Sequence, residues 1–257
     1  MPLPTVSYEG IPGSGLQLLA PGTADFLSAL EQNLTGPERL AIQPLEPFLA
    51  VIRNGSGKAL AAVMVRHEFR NAAGEVSRSN SLWLTTQNLE HRKVLPGQCL
   101  LVGPLGSACR ILRGAPAASH ARGAPAEAAS RAALLAEFDA ICVTLDSAVF
   151  DDGALLGPDE AGLEQQLREW LRAERELFAE VSGMTADDRS PSLTRIAGEF
   201  PLEQPPAPEP AGAYAEHRAE TARILLSLLE NARCEEQFLQ WLDQVIGHTI
   251  PDPRRPA

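Results

Sequence analysis

Positive charge is scarce in this chain. Lysine occurs only as Lys58 and Lys93, and Lys and Arg together number 22 against 33 Asp and Glu, a net charge of −11 at pH 7. A field of that sign repels phosphate backbones and anionic lipid, so neither a nucleic-acid nor a membrane partner is expected. No apolar run approaches the roughly 18 to 20 residues that span a bilayer. The N-terminal residues carry neither a basic leader nor the apolar stretch of a signal peptide. A cytoplasmic location follows as the expectation, or a periplasmic or extracellular one if a leader has been removed. Cysteine is confined to Cys99, Cys109, Cys142 and Cys234, with no Cys-x-x-Cys pair. A chain of 257 residues needs no covalent staple. Reduced, buried thiols are expected, with a Cys99–Cys142 bridge between strands as the lesser alternative.

Catalytic and cofactor motifs are also missing. Neither Gly-x-x-x-x-Gly-Lys-Ser/Thr nor Gly-x-Gly-x-x-Gly occurs, so nucleotide phosphates have no backbone cradle, and no cofactor is implied. Serine stands between glycines at Gly13-Ser14-Gly15 and Gly55-Ser56-Gly57, both turn contexts rather than a nucleophile elbow. His67 and Glu68 adjoin in a strand and point to opposite faces, and no His-Glu-x-x-His helix exists to hold zinc. His120 lies in a low-complexity loop, and His217 in a charged helical stretch that reads as solvated. The Asn33 and Asn54 sequons read as incidental in a chain without a secretory leader.

What is present is an ordinary globular composition, 44% hydrophobic and 21% charged. Residues 1–37 form a Pro- and Gly-rich arm, with one short helix expected over Thr23–Asn33, capped by Thr23 and presenting Phe26, Leu27 and Leu30. From residue 38 the pattern favours strands. Leu40–Leu45 reads as an edge strand interrupted by Pro44. Phe48–Arg53, Ala59–Phe69, Ser81–Thr86 and Gln98–Val102 follow, and Cys109–Leu112 is a weaker candidate. Ala61, Val63, Val65, His67 and Phe69 share one face of the second of these. Short strands at these intervals, without intervening helices, predict an antiparallel sandwich or barrel. Residues 114–131, where Gly-Ala-Pro-Ala occurs twice, read as a mobile insert.

The hydrophobic period changes within Phe138–Leu171. Phe138–Phe150 reads as a strand and Asp151-Asp152-Gly153 as a tight turn. Pro158, Asp159 and Glu160 suit the first turn of a helix. Its stripe runs through Leu163, Leu167, Trp170, Leu171, Leu177, Phe178 and Val181. A Pro-rich connector over 185–212 leads to a second helix, Ala213–Gly247, with Ile224, Leu225, Leu228, Leu229, Phe238 and Leu242 on one side. The predicted class is α+β: a β-sandwich over 38–157, then a long helical hairpin over 158–250.

Two stretches carry a resemblance. Phe48–Phe69, with its Asn-x-Ser-x-Lys turn before an alternating strand, and Val149-Phe-Asp-Asp-Gly through Gly157-Pro-Asp159 resemble immunoglobulin-like β-sandwiches of uncharacterised bacterial proteins. The likeness covers about residues 40–160. It implies a fold and no catalytic residues.

Asp146, Asp151, Asp152, Asp159 and Glu160 form the densest acidic group. Asp151, Asp152 and Asp159 are the candidate metal ligands, although their spacing departs from the Asp-x-Asp-x-Asp-Gly calcium loop. The favoured expectation is a noncatalytic binding or assembly protein, a homo-oligomer or one half of a protein complex. Its interface would use Leu163, Leu167, Trp170, Leu171, Leu225, Leu228 and Leu242. The rival is a hydrolytic or metal-assisted enzyme that draws Asp151, Asp152, Asp159 and His67 together.

Overall fold

The two central strands of one sheet carry continuous apolar runs, Ala50-Val-Ile52 and Cys99-Leu-Leu-Val102, and all of these residues are buried. A computed structural model describes residues 3–84, 93–104, 110–112, 125–199, 210–232, 234–247 and 253–254. The strands are β3 (Ala50–Asn54) and β6 (Cys99–Val102), which pair antiparallel. With β2 (Leu16–Leu19) and β7 (Arg110–Leu112) they make a sheet ordered β2-β3-β6-β7. The helix α1 (Ala24–Asn33) packs on β3 and buries Phe26, Ala29 and Leu30. Thr23 caps it, its hydroxyl accepting the Phe26 N–H at 3.3 Å as the sequence predicts.

The other sheet is ordered β1-β8-β4-β5, from β1 (Thr5–Glu9), β4 (Leu60–Arg70), β5 (Val76–Leu84) and β8 (Ala140–Phe150), with β9 (Leu155–Leu156) also on β8. It is mixed, because β1 runs parallel to β8 while the other pairs are antiparallel. The expected N-terminal arm therefore supplies two strands. Val6 and Tyr8 alternate inward from β1 onto the core, and the Tyr8 hydroxyl donates to the Leu49 carbonyl at 3.2 Å. Side chains from both sheets and from α1 form one apolar cluster, with Val51, Ile52, Val63, Val65, Leu100, Val143 and Leu145 among its fully buried members. The fold is α+β, and among the described residues neither sheet closes.

Asn54 organises the passage from β3 to β4. Its buried amide donates to the carbonyls of Lys58 (2.9 Å) and Val94 (2.8 Å) and accepts the Ser56 N–H at 3.1 Å. An Asn so enclosed is no glycan acceptor. The Gly13–Gly15 and Gly55–Gly57 turns lie against each other, since the Gly55 N–H donates to the Gly15 carbonyl at 2.9 Å. A Cβ on Gly55 would stand 2.9 Å from that oxygen.

Leu40–Leu45 is not an edge strand. It falls in α2 (Gly36–Ile42) and a following 3-10 helix (Gln43–Phe48). Thr35-Gly-Pro-Glu38 is a capping box, with the Thr35 N–H bonded to Glu38 Oε2 at 2.8 Å. That start signal outweighs the apolar alternation that follows it. The expected insert is helical from Pro125 onward, in α3 (Pro125–Leu135), and residues 113–124 lie outside the described residues.

The chain divides into two compact units, the first containing both sheets and the second containing residues 162–254. The second is not a simple hairpin. It comprises α4 (Leu163–Gly183), α5 (Ala186–Gly198), α6 (Pro210–Asn231) and α7 (Glu235–Gly247). Residues 186–198 of the expected connector are thus α-helical. Pro191 lies on the exposed side of α5 while Leu193 and Ile196 are buried, so packing of that apolar face outweighs the hydrogen bond that proline removes. Leu177, Phe178, Val181, Leu193, Ile196, Ala222, Leu225, Phe238 and Leu242 form the core of this unit. The expected long second helix breaks after Asn231, whose side-chain amide donates back to the Ser227 carbonyl at 2.6 Å. Buried Arg189 ties the helix ends together. It donates to the Val181 (3.2 Å) and Met184 (3.1 Å) carbonyls and to Glu235 (2.9 Å). Among the described residues no helix is long and apolar enough to cross a membrane.

Candidate functional site

The pairing of β8 with β4 slips between Leu60 and Ala62 and again between Met64 and Val65, and the second slip builds the centre of the acidic group. Val65 on β4 pairs with Leu145, whereas the preceding Met64 pairs with Ser147, so Asp146 is the extra residue of a β-bulge. A bulge re-aims its side chain. Here it sends a fully buried carboxylate to the loop after β9. Asp146 Oδ1 accepts the Glu160 N–H and Oδ2 the Ala161 N–H, each at 3.1 Å. Ser147 Oγ adds a 3.4 Å contact, and the Arg66 guanidinium lies 4.0 Å from Oδ1. Arg66 is also ion-paired with Glu160, and that hydrogen bond is the main force raising its already high pKa.

The loop has a conformation to match. Gly157 has φ 104°, and a Cβ there would lie 2.2 Å from the Asp146 carbonyl oxygen, so only glycine fits. Asp159 has φ 59°, a left-handed geometry that asparagine and aspartate tolerate best. Pro158, Asp159 and Glu160 therefore do not open the helix as the sequence predicts. They form the capped loop, and α4 begins at Leu163.

Asp151 and Asp152 belong to a different place, the turn between β8 and β9. Gly153 takes φ 82°, and the Phe150 N–H donates to the Ala154 carbonyl at 3.0 Å, which matches the predicted Asp-Asp-Gly turn. Asp152 pairs with Lys58 at 2.6 Å and accepts the Ala154 N–H. The lysine hydrogen bond, then that N–H, hold its carboxyl below the usual carboxylate range. The candidate ligands Asp151, Asp152 and Asp159 thus fall at a turn and in a separate loop. Among the described residues no three His, Cys, Asp or Glu side chains gather as metal ligands.

His67 is further still. Leu60 pairs with Phe150 beside Asp151, and His67 stands seven positions along β4 from Leu60, about 20 Å at the rise of a strand. It lies on the core side with Val65 and Phe69, buried, and its Nδ1 has no partner among the described residues. Burial lowers its pKa to about 4, against a weaker opposing hydrogen bond donated by the ring to the Ser79 backbone. A neutral imidazole enclosed there has no route to the acidic turn.

Comparison of the chain with protein-family models, curated proteins and solved structures finds no match. The chemistry must be read from the chain alone.

The helical unit holds the polar groups that the sequence does not mark. His217 is buried rather than solvated. Its Nε2 lies 2.9 Å from Glu174 Oε1, also buried, and its ring stacks on Trp170 with centroids 4.9 Å apart. On either side of this pair, α4 and α6 are joined by Tyr214 to Glu176, by Arg218 to Glu180 (2.5 Å) and by Arg172 lying 4.6 Å over the Tyr214 ring. Burial, then the Glu176 hydrogen bond, raises the Tyr214 pKa. Partners 43 residues apart leave no local signal, which is why periodicity alone misses them.

The residues expected to form an interface are largely enclosed. Leu163, Leu167, Leu171, Leu225 and Leu242 are buried, while Trp170 and Leu228 are half-buried. Leu225 and Leu242 belong to the core of the helical unit, and Leu228 packs against it. Cys99 and Cys142 are free thiols rather than a bridge. Cys99 faces the apolar cluster, Cys142 is half-buried on β8, and Cys234 is exposed, against the expectation of uniform burial.

Proposed function

We propose that the protein is a noncatalytic binding or assembly component whose first unit follows an immunoglobulin-like sandwich plan. One observation carries the reading. The only fully buried carboxylate of the acidic group, Asp146, is committed to two backbone N–H groups, so the residue best placed to act chemically serves as a loop anchor. The neighbouring Glu160 and Asp152 are likewise engaged, with Arg66 and Lys58. Support for the sandwich plan comes from β3 and β4, consecutive strands that lie in different sheets on either side of the Asn54 turn. Because the leucines of the helical stripes are buried, the contact surface lies elsewhere on the chain.

Calorimetric titration with calcium, and separately with magnesium, tests the reading against its metal-dependent rival. No saturable heat is expected. A saturable heat removed by Asp152→Asn or Asp159→Asn would overturn the noncatalytic assignment and restore the metal site.

A further inference from the structure

Most edge strands in this protein are short. Among the described residues β2 has four residues, β7 three and β1 five. The exception is β5, nine residues from Val76 to Leu84 at the end of the mixed sheet. Natural edges are blunted by proline, lysine, a bulge or brevity. β5 contains no Pro, Gly or Lys, its register with β4 is unbroken from Arg70↔Val76 to Ala62↔Leu84, and its one charged side chain, Arg78, is ion-paired with Glu68 of β4. Val76, Ser77, Arg78 and Asn80 are exposed, Val76 to 45%.

We propose that β5 pairs antiparallel with β5 of a second copy of this chain, joining two mixed sheets across a two-fold axis. This inference rests on the assembly reading and names its surface. A two-fold axis normal to the sheet keeps each face in common, so every residue must meet one of equal parity. Centring on Arg78 sets two guanidinium groups directly opposite, which is destabilising. Centring on Asn80 sets Arg78 against Leu82. Centring on Ser79 avoids both. Ser79 then faces its own copy, Ser77 faces Ser81, Arg78 faces the amide of Asn80, and exposed Val76 meets half-buried Leu82. On the outer face Glu68, already 3.1 Å from Arg78, continues the row away from the axis, so no like charges adjoin across the new pair.

Sedimentation of the full-length protein over a wide concentration range tests the register through charge. Asn80→Lys places a lysine opposite Arg78 of the other copy, twice per dimer, and is expected to weaken association by about tenfold or more. Adding Arg78→Glu to that variant makes each cross-copy pair complementary and is expected to restore association. Hydrogen exchange on the unmutated chain gives an independent readout, with the 76–80 amides gaining protection as concentration rises. Circular dichroism confirms that each variant is folded. A dimer indifferent to Asn80→Lys, with 76–80 unprotected, overturns the β5 edge while leaving assembly standing. A chain monomeric at every concentration overturns the proposal and leaves the edge to a strand from a different protein.

Discussion

The Asp146 carboxylate accepts the backbone N–H of Ala161 at 3.1 Å, 15 residues further along the chain. A bulge on one strand and a left-handed loop after the next are held by this one buried side chain. Removing it leaves the N–H groups of Glu160 and Ala161 without their acceptor. Asp146→Ala is expected to lower unfolding stability by about 3 kcal/mol, read from urea midpoints at constant m-value. Asp146→Asn retains one acceptor oxygen and should cost less.

Gly157 meets the same residue from the other side. A Cβ 2.2 Å from the Asp146 carbonyl oxygen, on a backbone with φ 104°, cannot be relieved by a rotamer change. Gly157→Ala is expected to cost about 2 kcal/mol or more and to lower Tm, whereas Gly183→Ala, where a Cβ meets nothing within 4 Å, should be near neutral or stabilising.

Acid should destabilise the protein through His67. Its pKa falls from the ordinary imidazole value of 6.5 to about 4 on folding, so between these values the unfolded chain binds more protons than the native one. Stability is therefore unaffected by this group above pH 6.5, declines as pH drops toward 4, and levels below that. The total contribution is about 3 kcal/mol, at 1.36 kcal/mol per pKa unit. His67→Phe should flatten that part of the stability profile between pH 7.5 and pH 4. An unchanged slope would show that the imidazole is not the linked group.

The Glu174–His217 pair should behave as a unit. His217→Leu strands a buried carboxylate and Glu174→Leu strands a buried imidazole nitrogen, whereas the double variant strands neither. A double-mutant cycle is expected to give a coupling of about 1–3 kcal/mol, with the double variant more stable than His217→Leu alone. Additive effects would show that the 2.9 Å contact contributes nothing specific.

Much of the fold was legible in local pattern. The Thr23 cap, the Val63–Phe69 face of β4, the Asp151–Gly153 turn and the Leu163–Val181 stripe each depend on residues within a few positions of one another. Leu40–Leu45, short and interrupted by Pro44, reads as an edge strand, although the capping box at Thr35–Glu38 sets a helix just upstream. Residues 186–198 fall within the expected Pro-rich connector, although Leu193 and Ile196 give the segment an apolar face. In β8 the break in spacing, with Ile141, Val143 and Leu145 followed by Ala148 and Phe150 on the core face, was a visible sign of the bulge at Asp146.

Sequence by itself therefore determined the α+β class, the low positive charge and the element types wherever cap and period agree, because propensity, capping and period are short-range properties. Tertiary structure alone decided what the acids and histidines are for. Asp146 was equally available as ligand or anchor until the bulge turned it onto Glu160 and Ala161, and His217 became a buried partner only when α6 met α4. Roles of that kind depend on which groups lose water together, and that is settled by packing between residues far apart in the chain.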